Sequence, residues 1–114
     1  MWEGASPVCM ARVVDSDDAL VLQAGVASIA YAIVNLRTQL VIATGTLTIA
    51  NVIFDTLQTG HGWTLAGAGY NFRWKMPGSL FPAGNGVYRV EIEISAGGDV
   101  LPLVFDVEVS KRYS

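Results

Sequence analysis

Three stretches in the last third of the chain alternate strictly between apolar and polar residues, and this period of two restricts the fold more than any other feature. In YNFRWKM, Tyr70, Phe72, Trp74 and Met76 share one face, and Asn71, Arg73 and Lys75 share the other. In VYRVEIEIS, Tyr88, Val90, Ile92 and Ile94 alternate with Arg89, Glu91, Glu93 and Ser95. In LPLVFDVEVS, Leu103, Phe105, Val107 and Val109 alternate with Val104, Asp106, Glu108 and Ser110. Successive side chains of a strand point to opposite faces, so each stretch is a strand with one buried and one wet side. The glycines of AGGD, Ala96 to Asp99, supply a tight hairpin turn between the last two.

Upstream the alternation is softer. CMARVVD reads as a first strand, ended by the turn-forming SDD. Over 17–24 a strand is the first reading, and a short helix capped from Asp15–Asp18 and stopped by Gly25 is the second. VASIAYAIVNL places Ile29, Tyr31 and Ile33 on one face, and RTQ turns it into LVIATGTLTI. ANVIFDTL puts Val52 and Phe54 on one face and Asn51, Ile53 and Asp55 on the other. The sum is an all-β chain of about seven short antiparallel strands, an immunoglobulin-like β-sandwich with Greek-key-like order. No linker or internal repeat divides it, so residues 1–114 form a single domain, with 1–7 and 111–114 as loosely ordered ends.

At 114 residues the chain is long enough to build a core without staples. Its one cysteine, Cys9, rules out an internal disulfide framework and reads as a small buried hydrophobe, and a single histidine offers no zinc constellation. A net charge of −3 argues against nucleic acid, which needs a basic patch. The chain is 52% apolar and only 15% charged, and no charge occurs between Asp18 and Arg37 or between Arg37 and Asp55. Two such runs raise the question of a membrane hairpin. The second is interrupted by Thr38, Gln39, Thr44, Thr46, Thr48 and Asn51, the first by Gln23, Gly25, Ser28 and Asn35, and no basic cluster flanks either. No membrane span is expected. MWEGASPVC lacks a basic segment leading into an apolar one, so no signal peptide is expected either, and the expected setting is a virion or the cytoplasm.

The motifs that carry chemistry elsewhere fail on their context. GHGWTLAGAG is rich in glycine, but a phosphate-cradling loop needs a helix behind it, and here a strand follows. Its glycines serve a long inter-strand loop in which Trp63 and His61 are the candidate ligand-binding residues, as a sugar-stacking pair. His61 has no acidic or cysteine partner at a recognisable spacing, and no nucleophile motif occurs. Glu91 and Glu93 on one strand, with Asp106 and Glu108 on its hairpin partner, raise a glycosidase pair or a calcium site. A solvated sheet face with Arg73, Lys75 and Arg89 as cross-strand partners is the simpler reading. Tyr70, Phe72, Trp74 and Tyr88 belong to the core face rather than to a stacking platform. Neither an enzyme nor a cofactor is expected.

The charge-poor first half is more informative. The outer faces of two successive strands offer Ser28, Ala30, Ala32, Thr44, Thr46 and Thr48, all small and uncharged. Such a surface suits packing against another protein better than free solvation, and these six are the candidate interface.

The C-terminal half carries a resemblance. The aromatic strand Tyr70 to Trp74 is followed by Pro77-Gly78, then by Gly86-Val87-Tyr88 opening an acidic alternating strand, then by Gly97-Gly98 and Pro102 before the last strand. This order resembles small phage-encoded β-sandwich structural proteins, and the immunoglobulin-like N-terminal domain of phage upper baseplate proteins among them. The long FDTLQTGHGW connection and the segment SLFPAGNG depart from that pattern. The resemblance implies a non-enzymatic virion or prophage component that docks to copies of itself or to a neighbouring structural subunit. A carbohydrate-binding module using the Trp63 loop is the alternative.

Overall fold

The computed structural model describes residues 5–15, 17, 19–59, 69–81 and 86–110. Within them lie seven strands: β1 Val8–Ala11, β2 Val26–Asn35, β3 Leu40–Thr46, β4 Ile53–Gln58, β5 Tyr70–Lys75, β6 Gly86–Ala96 and β7 Asp99–Val109. A single helical turn, α1 Ile49–Val52, leads into β4, and 3-10 turns occupy Gln23–Gly25 and Gly78–Leu80. Three strands pair in the order β1-β5-β4 and four in the order β3-β2-β6-β7, every pairing antiparallel. The protein is therefore an all-β sandwich, and its pairing of first with fifth and second with sixth strand is the Greek-key arrangement of immunoglobulin-like folds.

The alternation that predicts the last three strands also fills the core. Phe72, Trp74 and Met76 join Tyr88, Val90, Ile92 and Ile94 in one buried cluster, and Tyr70, at the start of the same row, is buried with its ring against Phe54. Ile29 and Ile33 of β2, Ile53 of β4 and Val107 and Val109 of β7 complete this layer. The β6–β7 ladder runs unbroken from Gly86↔Val109 to Ala96↔Asp99. It closes on Gly97 and Gly98, whose φ values of 58° and 86° are the pair a two-residue hairpin turn demands. Tyr31 crosses the interior to meet the Trp74 ring at 4.8 Å. It does so by lying over Gly45, where a Cβ would stand 2.7 Å from the tyrosine ring.

Four expectations change. Residues 19–24 form neither a strand nor an α-helix: Leu20 makes an isolated bridge to Val14, and Gln23–Gly25 is a 3-10 turn. The strand expected over ANVIFDTL starts only at Ile53, because Ile49–Val52 coils into α1. That shifts the phase, so Ile53 is fully buried while Phe54 is half-buried against Tyr70. Thr48 lies beyond the end of β3, in the approach to α1. Asn71, assigned by parity to the wet face of β5, is 0% exposed. Its Oδ1 accepts from the Val13 amide at 2.6 Å, and its Nδ2 donates to the carbonyls of Val13 and Val21, each at 3.0 Å. Val13 and Val21 are fastened over the sheet at this point by one side chain.

Candidate functional site

The antiparallel registers fix what shares the outer face of the four-stranded sheet. One row runs Thr46, Ala30, Glu93, Pro102; the next runs Thr44, Ala32, Glu91, Val104. Ser28 stands beside Ser95 and Val100, and Val34 stands between Val41 and Arg89. Five of the six expected interface residues are thus brought together on β2 and β3, exposed except for half-buried Ala32, with Thr48 exposed just past the strand end. The face is not uncharged throughout, as the first-half composition suggests. Beyond β2 it continues into the exposed Arg89, Glu91 and Glu93 of β6, so it is neutral on one side and acidic on the other.

Of the four carboxylates raised as a possible active site, Glu91 and Glu93 are exposed on the sheet surface, whereas Asp106 and Glu108 border a depression of about 230 Å³ that Glu91 and Glu93 do not line. Arg89 Nε reaches Asp106 Oδ1 at 3.5 Å, an exposed contact of little energetic weight. Arg73 and Lys75, expected as further partners for this row, sit on β5 in the other sheet. Among the described residues no group of three or more His, Cys, Asp or Glu is placed to hold a metal ion. Asp15, Asp17 and Asp99 line a cleft of about 400 Å³ at one end of the sandwich. There the Asp15 carboxylate is engaged in its own loop, accepting from the amides of Asp17 and Ala19.

Cys9 is buried, with its Sγ 4.0 Å from the Met76 sulfur. Burial pushes its thiol up to about 12, which leaves it protonated and unreactive at neutral pH. Tyr70, Phe72, Trp74 and Tyr88 are core residues and present no stacking platform. His61 and Trp63, the candidate ligand-binding pair, lie outside the described residues. Among the described residues no helix is long and apolar enough to cross a membrane.

The feature that composition could not locate is the sheet edge. Exposed edges invite pairing with other chains, and proteins blunt them with charge, proline, short length or cover. Strand β7 carries Asp99, Pro102, Asp106 and Glu108; β1 spans only Val8–Ala11; β4 is covered where Gln23 bonds the Asp55 carboxylate and the Ile53 carbonyl. Strand β3 has neither charge nor proline from Leu40 to Thr46. Its ladder steps from Ile33↔Ala43 to Val34↔Val41, leaving Ile42 as a bulge. The bulge breaks the inward–outward alternation, and Leu40, Val41 and Ile42 are exposed in succession, Val41 at 58%. No known protein family, curated protein or solved structure matches the chain.

Proposed function

We propose that the protein is a non-enzymatic assembly module that associates with a second copy of itself through β3 and the neutral side of the adjoining face. The observation that carries this reading is the asymmetry of the two edges of the four-stranded sheet: β7 is guarded by charge and proline, whereas β3 is uncharged and exposes Leu40, Val41 and Ile42. Beside it lie Ser28, Ala30, Ala32, Thr44 and Thr46, side chains short enough for close approach. Antiparallel pairing of β3 with its own copy across a two-fold axis brings no like charges together, because no charge occurs between Arg37 and Asp55. The same pairing through β7 would bring acidic residues into one interface. A virion or prophage component, docking to its own copies or to a neighbouring structural subunit, is the setting that the C-terminal resemblance supports.

The test is mass by light scattering across a concentration range, for the native chain and for Ala30→Lys and Val41→Lys. Lysine suits the test better than glutamate, since Ala30 stands directly opposite Glu93 and an added carboxylate would disturb the fold itself. A defined oligomer that both variants reduce to a monomer supports the proposal. A strict monomer throughout, or an oligomer that both variants leave intact, overturns it.

A further inference from the structure

Strand β4 pairs with β5 only up to Ile53↔Phe72, because the residues before Ile53 coil into α1. The other half of β5, from Arg73 to Lys75, is paired with β1 and, among the described residues, has no strand on its α1 side. Between this half of β5 and the end of β3 lies a notch of about 400 Å³. Arg73, Lys75, Thr46, Thr48 and Asn51 supply its polar lining, with Trp74 at its wall, and no described carboxylate lines it. Two cations, two hydroxyls and a carboxamide form a donor-rich set on a chain whose net charge is −3.

The second observation concerns satisfaction. Arg73 Nε is the one buried side-chain nitrogen or oxygen among the described residues that has no hydrogen-bond partner. Neither Arg73 nor Lys75 forms an ion pair with a described residue. A guanidinium N–H removed from water without an acceptor is costly, and native structures almost always supply one. A planar guanidinium is also the group best matched to a two-oxygen acceptor, with a nearby ammonium adding a point charge. The volume lies in the range of small-ligand sites, about 300–1,000 Å³.

We propose that this notch binds an oxyanion, a phosphate or carboxylate group held by Arg73 and Lys75, with the Thr46 and Thr48 hydroxyls and the Asn51 amide completing the donor set. The site does not require the assembly reading, although it shares Thr46 with that face. Its oxyanion comes either from a small free anion or from a carboxylate of a second copy, such as the exposed Glu91 or Glu93.

The test follows the arginine Nε–H resonances of the full chain by NMR at constant ionic strength, adding inorganic phosphate in one arm and concentrating the protein in the other. A saturable shift of Arg73 on adding phosphate, with none at the exposed Arg12 and Arg89, identifies a free oxyanion. A shift of Arg73 on concentrating the protein, lost in Glu91→Gln/Glu93→Gln, identifies the second copy. Either supports the site. Arg73→Gln should abolish binding, and Lys75→Gln, at an exposed position that does not endanger folding, should weaken it about tenfold. An Arg73 signal that moves in neither arm, or drifts only as Arg12 does, overturns the proposal, as does wild-type affinity in Lys75→Gln. A monomer that binds phosphate at Arg73 removes the assembly reading and keeps the notch; an oligomer whose Arg73 signal never moves does the reverse.

Discussion

Replacing Asn71 tests how the first part of the chain is fastened to the sandwich. Its side chain makes three hydrogen bonds to the backbone of Val13 and Val21, both of which are buried. In Asn71→Ala, the Val13 carbonyl keeps the Val21 amide at 3.1 Å, but the Val13 amide and the Val21 carbonyl lose the partner Asn71 gave them. Three net hydrogen bonds of about 1 kcal/mol each, plus the added cost of stranding buried groups, give a loss of roughly 3–5 kcal/mol. A domain of this size has about 5–15 kcal/mol in total, so the melting temperature should fall by more than ~12 °C. Asn71→Asp keeps the shape and the acceptor but turns a carboxylate oxygen toward two carbonyls. Burial there raises the pKa of that carboxyl, so the folded state binds its proton more tightly than the unfolded chain does. The associated stability is fully present below the unfolded value of about 3.9 and is lost as pH rises through the raised one. The deficit of Asn71→Asp relative to wild type should therefore be large at neutral pH and shrink on acidification. Urea unfolding, followed by circular dichroism at one low protein concentration, measures both. A loss below ~1 kcal/mol for Asn71→Ala, or a deficit for Asn71→Asp that ignores pH, refutes the reasoning.

Two further predictions concern the core. Gly45→Ala places a methyl 2.7 Å from the Tyr31 ring and forces that ring off Trp74, costing about 1–3 kcal/mol in urea unfolding and shifting tryptophan fluorescence. Because burial holds the Cys9 thiol at about 12 against an ordinary value of 9.0, the unfolded chain releases this proton first. Stability should be intact below pH 9 and fall by up to about 1.4 kcal/mol per pH unit above it, and Cys9→Ala should remove that component of the slope.

What could be read from the sequence follows the range of the interactions involved. The inward rows of β5, β6 and β7 are legible because alternation is a local property that the pleat converts directly into burial. Ile53 is misread because a four-residue helical turn is too short to leave a helical period yet long enough to shift the phase of the strand that follows. Asn71 is misread because parity assigns a face but does not say what lies over it; the covering segment starts 58 residues earlier. The small residues of β2 and β3 are legible as one face because the two strands form a local hairpin. That Glu91 and Glu93 stand in the same rows depends on β2 pairing with β6, a distant contact that no short pattern encodes. Arg73 and Lys75 are visible in the sequence only as alternating charges. The notch that gathers them with Thr46, Thr48 and Asn51 arises where β4 stops short.

The central claim is that β3 pairs with β3 of a second copy. Hydrogen exchange of the β3 amides that point away from β2, measured at high and low protein concentration, tests it most directly. Pairing predicts that these amides exchange at least about tenfold more slowly in the concentrated sample, with amides on the β7 edge unchanged. Equal rates at both concentrations along Leu40–Thr46 would contradict the account.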